Sequence, residues 1–207
     1  SARTVRGSQS DNSIHSVKDK WRKRLRLWGK RAAICIASTC LLHELVMALT
    51  PLPDGLLRQQ KEAVRFVDRR GEPLRFELAD RSYHHQRFSL DDCPEYFIHA
   101  TLAAEDKRYW SHGGIDLLAT LRAAKDCFVK GRVVSGASTI TQQLIKIAQP
   151  RSRTISAKLL ECLQARKLER CWNKRQILEE YLNRLDYGNA CKGASTASWF
   201  YFGKPLT

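Results

Sequence analysis

Glu105-Asp106-Lys107-Arg108-Tyr109-Trp110-Ser111-His112-Gly113-Gly114 reads as the end of a helix running into a glycine turn. Two adjacent carboxylates sit at that helix end, and His112 follows the first by seven residues. Upstream, Asp91 or Asp92 would cap the helix with Pro94 in its first turn, and Phe97, Ala100, Thr101 and Ala104 form its buried stripe. Downstream, the spacing predicts a second helix from Ile115 to Phe128, with Leu117, Leu118, Leu121 and Phe128 inward and Lys130-Gly131-Arg132 ending it. A third helix starts near Ser138 or Thr139 and runs to about Ala148, where Pro150 stops it. A fourth covers Thr154 to Cys171, with Ile155, Leu159, Leu163 and Leu168 at helical spacing. Asn173-x-x-Gln176 is a capping box for a fifth, which carries Ile177, Leu178, Tyr181 and Leu182. After a turn over Asp186–Gly193, a sixth covers Ala194 to Tyr201. The fold class expected is mainly α.

The N-terminal part is organised differently. Ten of the 36 Lys/Arg and two of the 21 Asp/Glu fall in residues 1–31, so this basic tail carries +8 of the formal +15. Residues 1–20 are polar and patternless, the composition of a disordered tail. Residues 32–50 are mostly apolar, and at about 1.5 Å per residue they span close to a bilayer core. His43 and Glu44 interrupt them past the middle, where the insertion penalty shrinks. Cations on one flank and Pro51-Leu52-Pro53 on the other favour a transmembrane helix over a buried soluble helix or a cleaved signal peptide. Positive-inside orientation puts residues 51–207 outside the cytoplasm. Residues 51–85 then read as a linker with a β-hairpin, Val64–Val67 and Leu74–Leu78 flanking Asp68–Pro73 and packing on the domain of residues 86–207. The basic charge alone would suit nucleic acid, but much of it lies before the membrane span, so no nucleic-acid partner is expected. Seven scattered cysteines without a CxxC pair form neither a metal-thiolate site nor an even disulfide framework.

Candidate chemistry clusters in three places, each with an ordinary structural alternative. Glu105 follows an apolar stripe, Leu102-Ala103-Ala104, whose walls would suit general-base work; the alternative is a solvated helix end. His112 would bond Asp106 or cap the helix. Ser138, Thr139, Gln142 and Gln143 could point at a sugar or phosphate from a helix N-terminus, or simply cap that helix. Lys146, one turn after Gln142, would share its face. Lys158 and Glu161 are helical neighbours, and with Arg153 and Lys146 they could meet a pyrophosphate, or form a solvated basic face with a surface ion pair.

These stretches, in this order, resemble the peptidoglycan glycosyltransferases: the glycosyltransferase module of class A penicillin-binding proteins and the monofunctional transglycosylases. Glu105–Asp116 is similar to the first family motif and Gly136–Lys146 to the second. Arg153–Glu169, leading into Gln176–Asn183, is similar to the third. Tyr187-Gly188 through Tyr201-Phe202-Gly203-Lys204 resembles the fourth. The resemblance covers residues from about 60 to 207 and implies a lysozyme-like, two-lobed glycosyltransferase domain. It implies polymerisation of lipid II into glycan strands by an inverting mechanism, at the bacterial cytoplasmic membrane on its outer face. Glu105 matches the general base and Glu161 the second acidic residue near the donor pyrophosphate, where a divalent Mg or Mn ion would sit if one is used. Lys146, Arg153 and Lys158 match the cations that receive the diphosphate, and Asp106, Ser138, Thr139, Gln142 and Gln143 the substrate-binding set. Lipid II, the nascent glycan strand, the membrane and other cell-wall synthesis proteins are the implied partners.

Three residues depart from the family pattern: Ala137 for a second glycine, Ile147 for an Asn, and Ala157 for an Arg before Lys158. The family's domain continues past Tyr201-Phe202-Gly203-Lys204 with further helices and a fifth motif, so the domain is expected to be incomplete at its C-terminus. A catalytically impaired lipid II- or glycan-binding relic, and a lysozyme-like peptidoglycan hydrolase, are the alternative readings.

Overall fold

The computed structural model describes residues 7–58, 64–70, 73–77, 87–130, 136–189 and 191–206. The chain divides into two compact units, residues 1–49 and 50–207. The first is one helix, α1 (Gly7–Leu49). It begins well before the apolar stretch, so the tail from Gly7 onward is helical rather than patternless. No proline interrupts residues 7–49, and a helix once nucleated extends at little cost. Its segment Leu27–Leu49 is long and apolar enough to cross a bilayer, starting a few residues earlier than the expected residue 32. His43 Nδ1 and Glu44 Oε1, the two polar interruptions, lie 3.2 Å apart on it.

The second unit opens with a short helix, α2 (Asp54–Leu57), and a hairpin of β1 (Val64–Val67) and β2 (Pro73–Glu77). The strands pair antiparallel, Val64 with Glu77 and Phe66 with Arg75, and the register shifts before Val67 pairs with Pro73. Asp68 Oδ1 accepts from the Arg70 amide at 2.7 Å and starts the turn. Phe66 and Val67 are partly exposed. Leu78, residues 59–63 before the hairpin and Gly131-Arg132 lie outside the described residues.

The helical body consists of α3 (Glu95–Glu105), α4 (Leu117–Lys130), α5 (Ile140–Ala148), α6 (Ile155–Cys171), α7 (Lys174–Arg184) and α8 (Ala194–Phe202). α5 is its hub and packs against both α6 and α7. Ile140, Leu144 and Ile145 of α5 are fully buried, as are Ile177, Leu178 and Leu182 of α7. Each such side chain stabilises the fold by roughly 1.5–3 kcal/mol through area removed from water. The capping box on α7 forms as the sequence predicts, Asn173 with Gln176. Polar ties complete the body. Asn183 holds the Phe88 backbone from both sides, at 3.0 Å from its N–H and 2.9 Å to its carbonyl. Arg184 donates to the Gly55 carbonyl at 2.7 Å, and Gln164 to that of Pro51 at 2.7 Å.

Several helix faces differ from expectation. Pro94, not Asp91 or Asp92, is the N-cap of α3; Ser89 instead caps a short 3-10 turn at Leu90–Asp92. Ala100 and Ala104 are exposed, Phe97 and Thr101 are half-buried, and Leu102 is the buried residue of α3. Leu117, Leu118, Leu121 and Phe128 of α4 are exposed, Phe128 at 92%, and α4 buries no residue. Helical spacing marks an apolar face without supplying a partner for it. Ile155 and Leu159 of α6 are likewise exposed, while Gln164, Ala165 and Leu168 face the core.

Glu180 sits at the centre of the polar ties. Its carboxylate accepts from Arg184 Nε at 2.7 Å and from Arg87. Burial alone would push its carboxyl up, but the hydrogen bonds and charges of Arg184 and Arg87 outweigh it and hold it below the ordinary carboxylate value. A lowered folded-state value means that this stabilisation is full above the unfolded value of about 4.3 and is lost as pH falls through the folded one. Glu180→Gln is expected to cost about 2 kcal/mol near neutral pH and to flatten the acid limb of stability, measured by denaturant unfolding in detergent from neutral pH to below pH ~4.

Candidate active site

The turn after α3 is folded by two carboxylates. Asp106, the C-cap of α3, is 6% exposed. Its oxygens lie 3.0 Å from His112 Nε2, and Oδ2 accepts from the Ile140 amide at 3.1 Å. A carboxylate only accepts, so His112 Nε2 carries the proton. Ile140 is the first residue of α5, so the charge also meets the positive end of that helix. Asp116 takes Arg108 in a bidentate grip and accepts from the Ala119 amide at 2.7 Å, starting α4. Gly114 has φ +85° and lies against α6, where an added Cβ would stand 2.7 Å from the Ala165 carbonyl oxygen. The glycine turn is thus required by backbone conformation and by contact.

The second motif enters α5 through Thr139. Its Oγ1 accepts from the Gln142 amide at 3.2 Å and donates to the Gly114 carbonyl at 2.7 Å, while Gln142 Oε1 accepts from the Thr139 amide. Thr139 and Gln142 are each 2% exposed. Gln142 also donates to Cys162 Sγ at 3.2 Å. The expected ligand-facing role of Gln142 is therefore corrected. Its side chain closes the capping box and packs on α6, and the neighbouring Gln143 faces the open side. Lys146 correspondingly shares its face with Gln143, three residues before it, rather than with Gln142.

That open side is a cleft of about 640 Å³. Glu105, Gln143, Lys146, Ser138, Arg153, Lys158 and Glu161 all line it; Gln143 bonds Glu105 in it, and Lys158 bonds Ser138 and Glu161. A second cavity of about 340 Å³ lies on the other side of Glu105 and Ser138, with Asp106 and Thr139 among its walls. Seven of the ten sequence-designated residues thus share one cleft, two line the adjoining cavity, and Gln142 lines neither. Arg151 also lines the cleft and was missed. Its signal was its place in the same short loop as Arg153. Its guanidinium donates to Gln164 at 2.8 Å and to Gln149.

Glu105 is exposed, and so are Ala103 and Ala104, so the apolar walls expected around it are absent. Its surroundings are polar: Gln143 Nε2 donates to its Oε2 at 2.9 Å. In the same cleft, the Lys158 ammonium donates to Ser138 Oγ at 2.8 Å, Glu161 Oε1 at 2.5 Å and Gln142 Oε1 at 3.3 Å. Lys146 and Arg153 are exposed and have no ion pair among the described residues, so both are open to an anion. The expected Lys158–Glu161 pair forms, but inside the cleft, with the Glu161 side chain 14% exposed. A metal ion would find Glu105 and Glu161 as carboxylates along this cleft, with Glu161 already engaged by Lys158. Among the described residues no group of three or more His, Cys, Asp or Glu comes together to cage one. Chemically, the cleft offers an accessible carboxylate to take a proton and several cations to hold a developing or leaving anion.

The model of the transglycosylase family matches residues 71–207. Penicillin-binding protein 1A of Aquifex aeolicus is 45% identical over 117 residues, which cover 56% of this chain and 16% of that protein. Penicillin-binding protein 1C of Escherichia coli is 35% identical over 157 residues, 75% of this chain and 20% of the relative. Penicillin-binding protein 1A of Pseudomonas aeruginosa is 40% identical over 116 residues, 56% of this chain and 14% of the relative. The matched segments thus span about a fifth or less of these relatives.

Because Thr139 ties the glycine turn to α5, its loss is a stability effect. Thr139→Ala is expected to destabilise the chain by about 1–2 kcal/mol, and Thr139→Ser to restore most of that, read by thermal unfolding in detergent. An unchanged melting temperature in Thr139→Ala would contradict the structural role.

Proposed function

The chain belongs to the transglycosylase family, and from that premise we propose that it polymerises lipid II into β-1,4 glycan strands, releasing undecaprenyl pyrophosphate. The observation that supports this reading is that Glu105 lines one cleft with Lys146, Arg153, Lys158 and Glu161. Glu105 is the general base. It takes the proton from the acceptor sugar's 4-hydroxyl as that oxygen forms a bond to the donor's anomeric carbon. The bond from that carbon to the pyrophosphate oxygen breaks, the electron pair leaves with the pyrophosphate, and the anomeric centre inverts. Lys146, Arg153 and Lys158 hold the departing charge, Arg153 as a fork and the lysines as point charges. Glu161 sets the position of the Lys158 ammonium.

The leaving group is an anion that needs no protonation, so one base and a cationic cradle suffice. A hydrolase acting on a finished strand would instead need an acid to protonate a sugar oxygen, and the cations favour the diphosphate. Ser138 and Gln143 are proposed as sugar or phosphate contacts, and Asp106 as the residue that holds the turn beside Glu105. The helix Leu27–Leu49 is proposed as a single membrane span, with the basic N-terminal residues cytoplasmic and the helical body on the outer face, where lipid II, the growing strand and other cell-wall synthesis proteins meet it.

Labelled lipid II incubated with the chain in detergent is expected to yield polymer. Glu105→Gln is expected to lower the rate by at least about 100-fold, the usual contribution of a general base. Equal polymer from both would remove Glu105 from the base role. Soluble fragments from finished peptidoglycan, with lipid II untouched, would support the hydrolase instead.

A further inference from the structure

Tyr181 lies on α7 with its side chain 1% exposed, in the core against α5. Its hydroxyl leaves that core in one direction, to Gln143 Oε1 at 3.0 Å. The same amide donates through Nε2 to Glu105 Oε2 at 2.9 Å. Each bond has a forced direction. The Glu105 carboxylate can only accept, so the Gln143 nitrogen faces it. The amide oxygen then faces Tyr181, and the phenol must donate. Burial first, and then the charge of Glu105, pushes the ionisation of Tyr181 upward, so the phenol keeps its proton across neutral pH. Among the described residues Glu105 Oε1 has no hydrogen bond.

We propose that Tyr181 is a positioning residue for Glu105: through Gln143 it clamps Oε2 of the carboxylate and leaves Oε1 as the oxygen that takes the proton. Glu105 ends α3 on an exposed surface, where an unclamped side chain samples several rotamers. Gln143 restrains it, but an amide with one partner can flip, and a flipped amide would turn its oxygen on the carboxylate. The buried phenol opposes that flip, because its ring is locked in the core and a flipped amide would offer it N–H groups and take away the acceptor of its O–H. Tyr181 is in this way the part of the core that reaches the chemistry. The inference rests on the base role assigned to Glu105 above.

Two measurements test it. In lipid II polymerisation, Tyr181→Phe keeps the ring and removes the donor; it is expected to lower kcat about tenfold while KM stays within about twofold. Gln143→Ala is expected to lower kcat at least as far and, because the same amide is proposed to contact substrate, to raise KM as well; adding Tyr181→Phe to Gln143→Ala is expected to cost less than about twofold more in kcat. A purely packing role would cost as much in either background; that result, or an unchanged kcat in Tyr181→Phe, overturns the relay. The second readout needs no turnover. The Gln143 side-chain amide NMR signals, assigned by their loss in Gln143→Ala, are expected to shift in both Tyr181→Phe and Glu105→Ala in detergent. Signals that stay in place in Tyr181→Phe would refute the clamp. A chain that makes no polymer would sink the polymerase reading while the amide signals still decide the clamp.

Discussion

The buried carboxylate of Asp106 is what the cleft depends on. A carboxylate taken out of water costs several kcal/mol unless its charge is met. Here it is met by the Ile140 amide, by the N-terminal end of α5 and by the His112 ring. Those bonds fasten the turn after α3 to the start of α5. Glu105 is the residue just before it in the chain, so the partnership that satisfies Asp106 also holds Glu105 beside Gln143. The Thr139 hydroxyl on the Gly114 carbonyl is a second fastening between the same two segments.

From α5 the site spreads to its two neighbours. α6 brings Lys158 and Glu161 to the cleft, and the Gln142 amide reaches across to both Cys162 and Lys158. α7 brings Tyr181 against Gln143. A small hub thus sets three helices whose polar faces meet, and the apolar side of each carries the stability. The cleft gathers both acidic and cationic groups, as a reaction that takes a proton and releases a diphosphate would use them.

Much of this was legible in the sequence. The order of helices, both halves of the hairpin, the Asn173–Gln176 box and the burial of Ile177, Leu178, Tyr181 and Leu182 follow from local pattern and cap chemistry. The acids and cations of the cleft were marked out by the resemblance to the peptidoglycan glycosyltransferases, since local pattern left each with an ordinary structural alternative. What local pattern lacks is the identity of a neighbour. Leu117 and Leu121 form an apolar face that no described helix covers, and Ala100 and Ala104 face out while Leu102 of the same helix is buried. Gln142 and Gln143 are adjacent and identical in chemistry. Only the geometry of the cap decides that the first turns inward and the second toward Glu105. Tyr181 read as core, which it is, and nothing in its spacing reported where its hydroxyl points.

The central claim is that one cleft holds both the base and the diphosphate cradle. The most direct measurement is a structure of the Glu105→Gln chain with lipid II bound. The expected result has diphosphate oxygens within about 2.7–3.2 Å of the Lys146, Arg153 and Lys158 side chains, or a sugar hydroxyl at residue 105. Lipid II seated away from this cleft, with those side chains untouched, would contradict it.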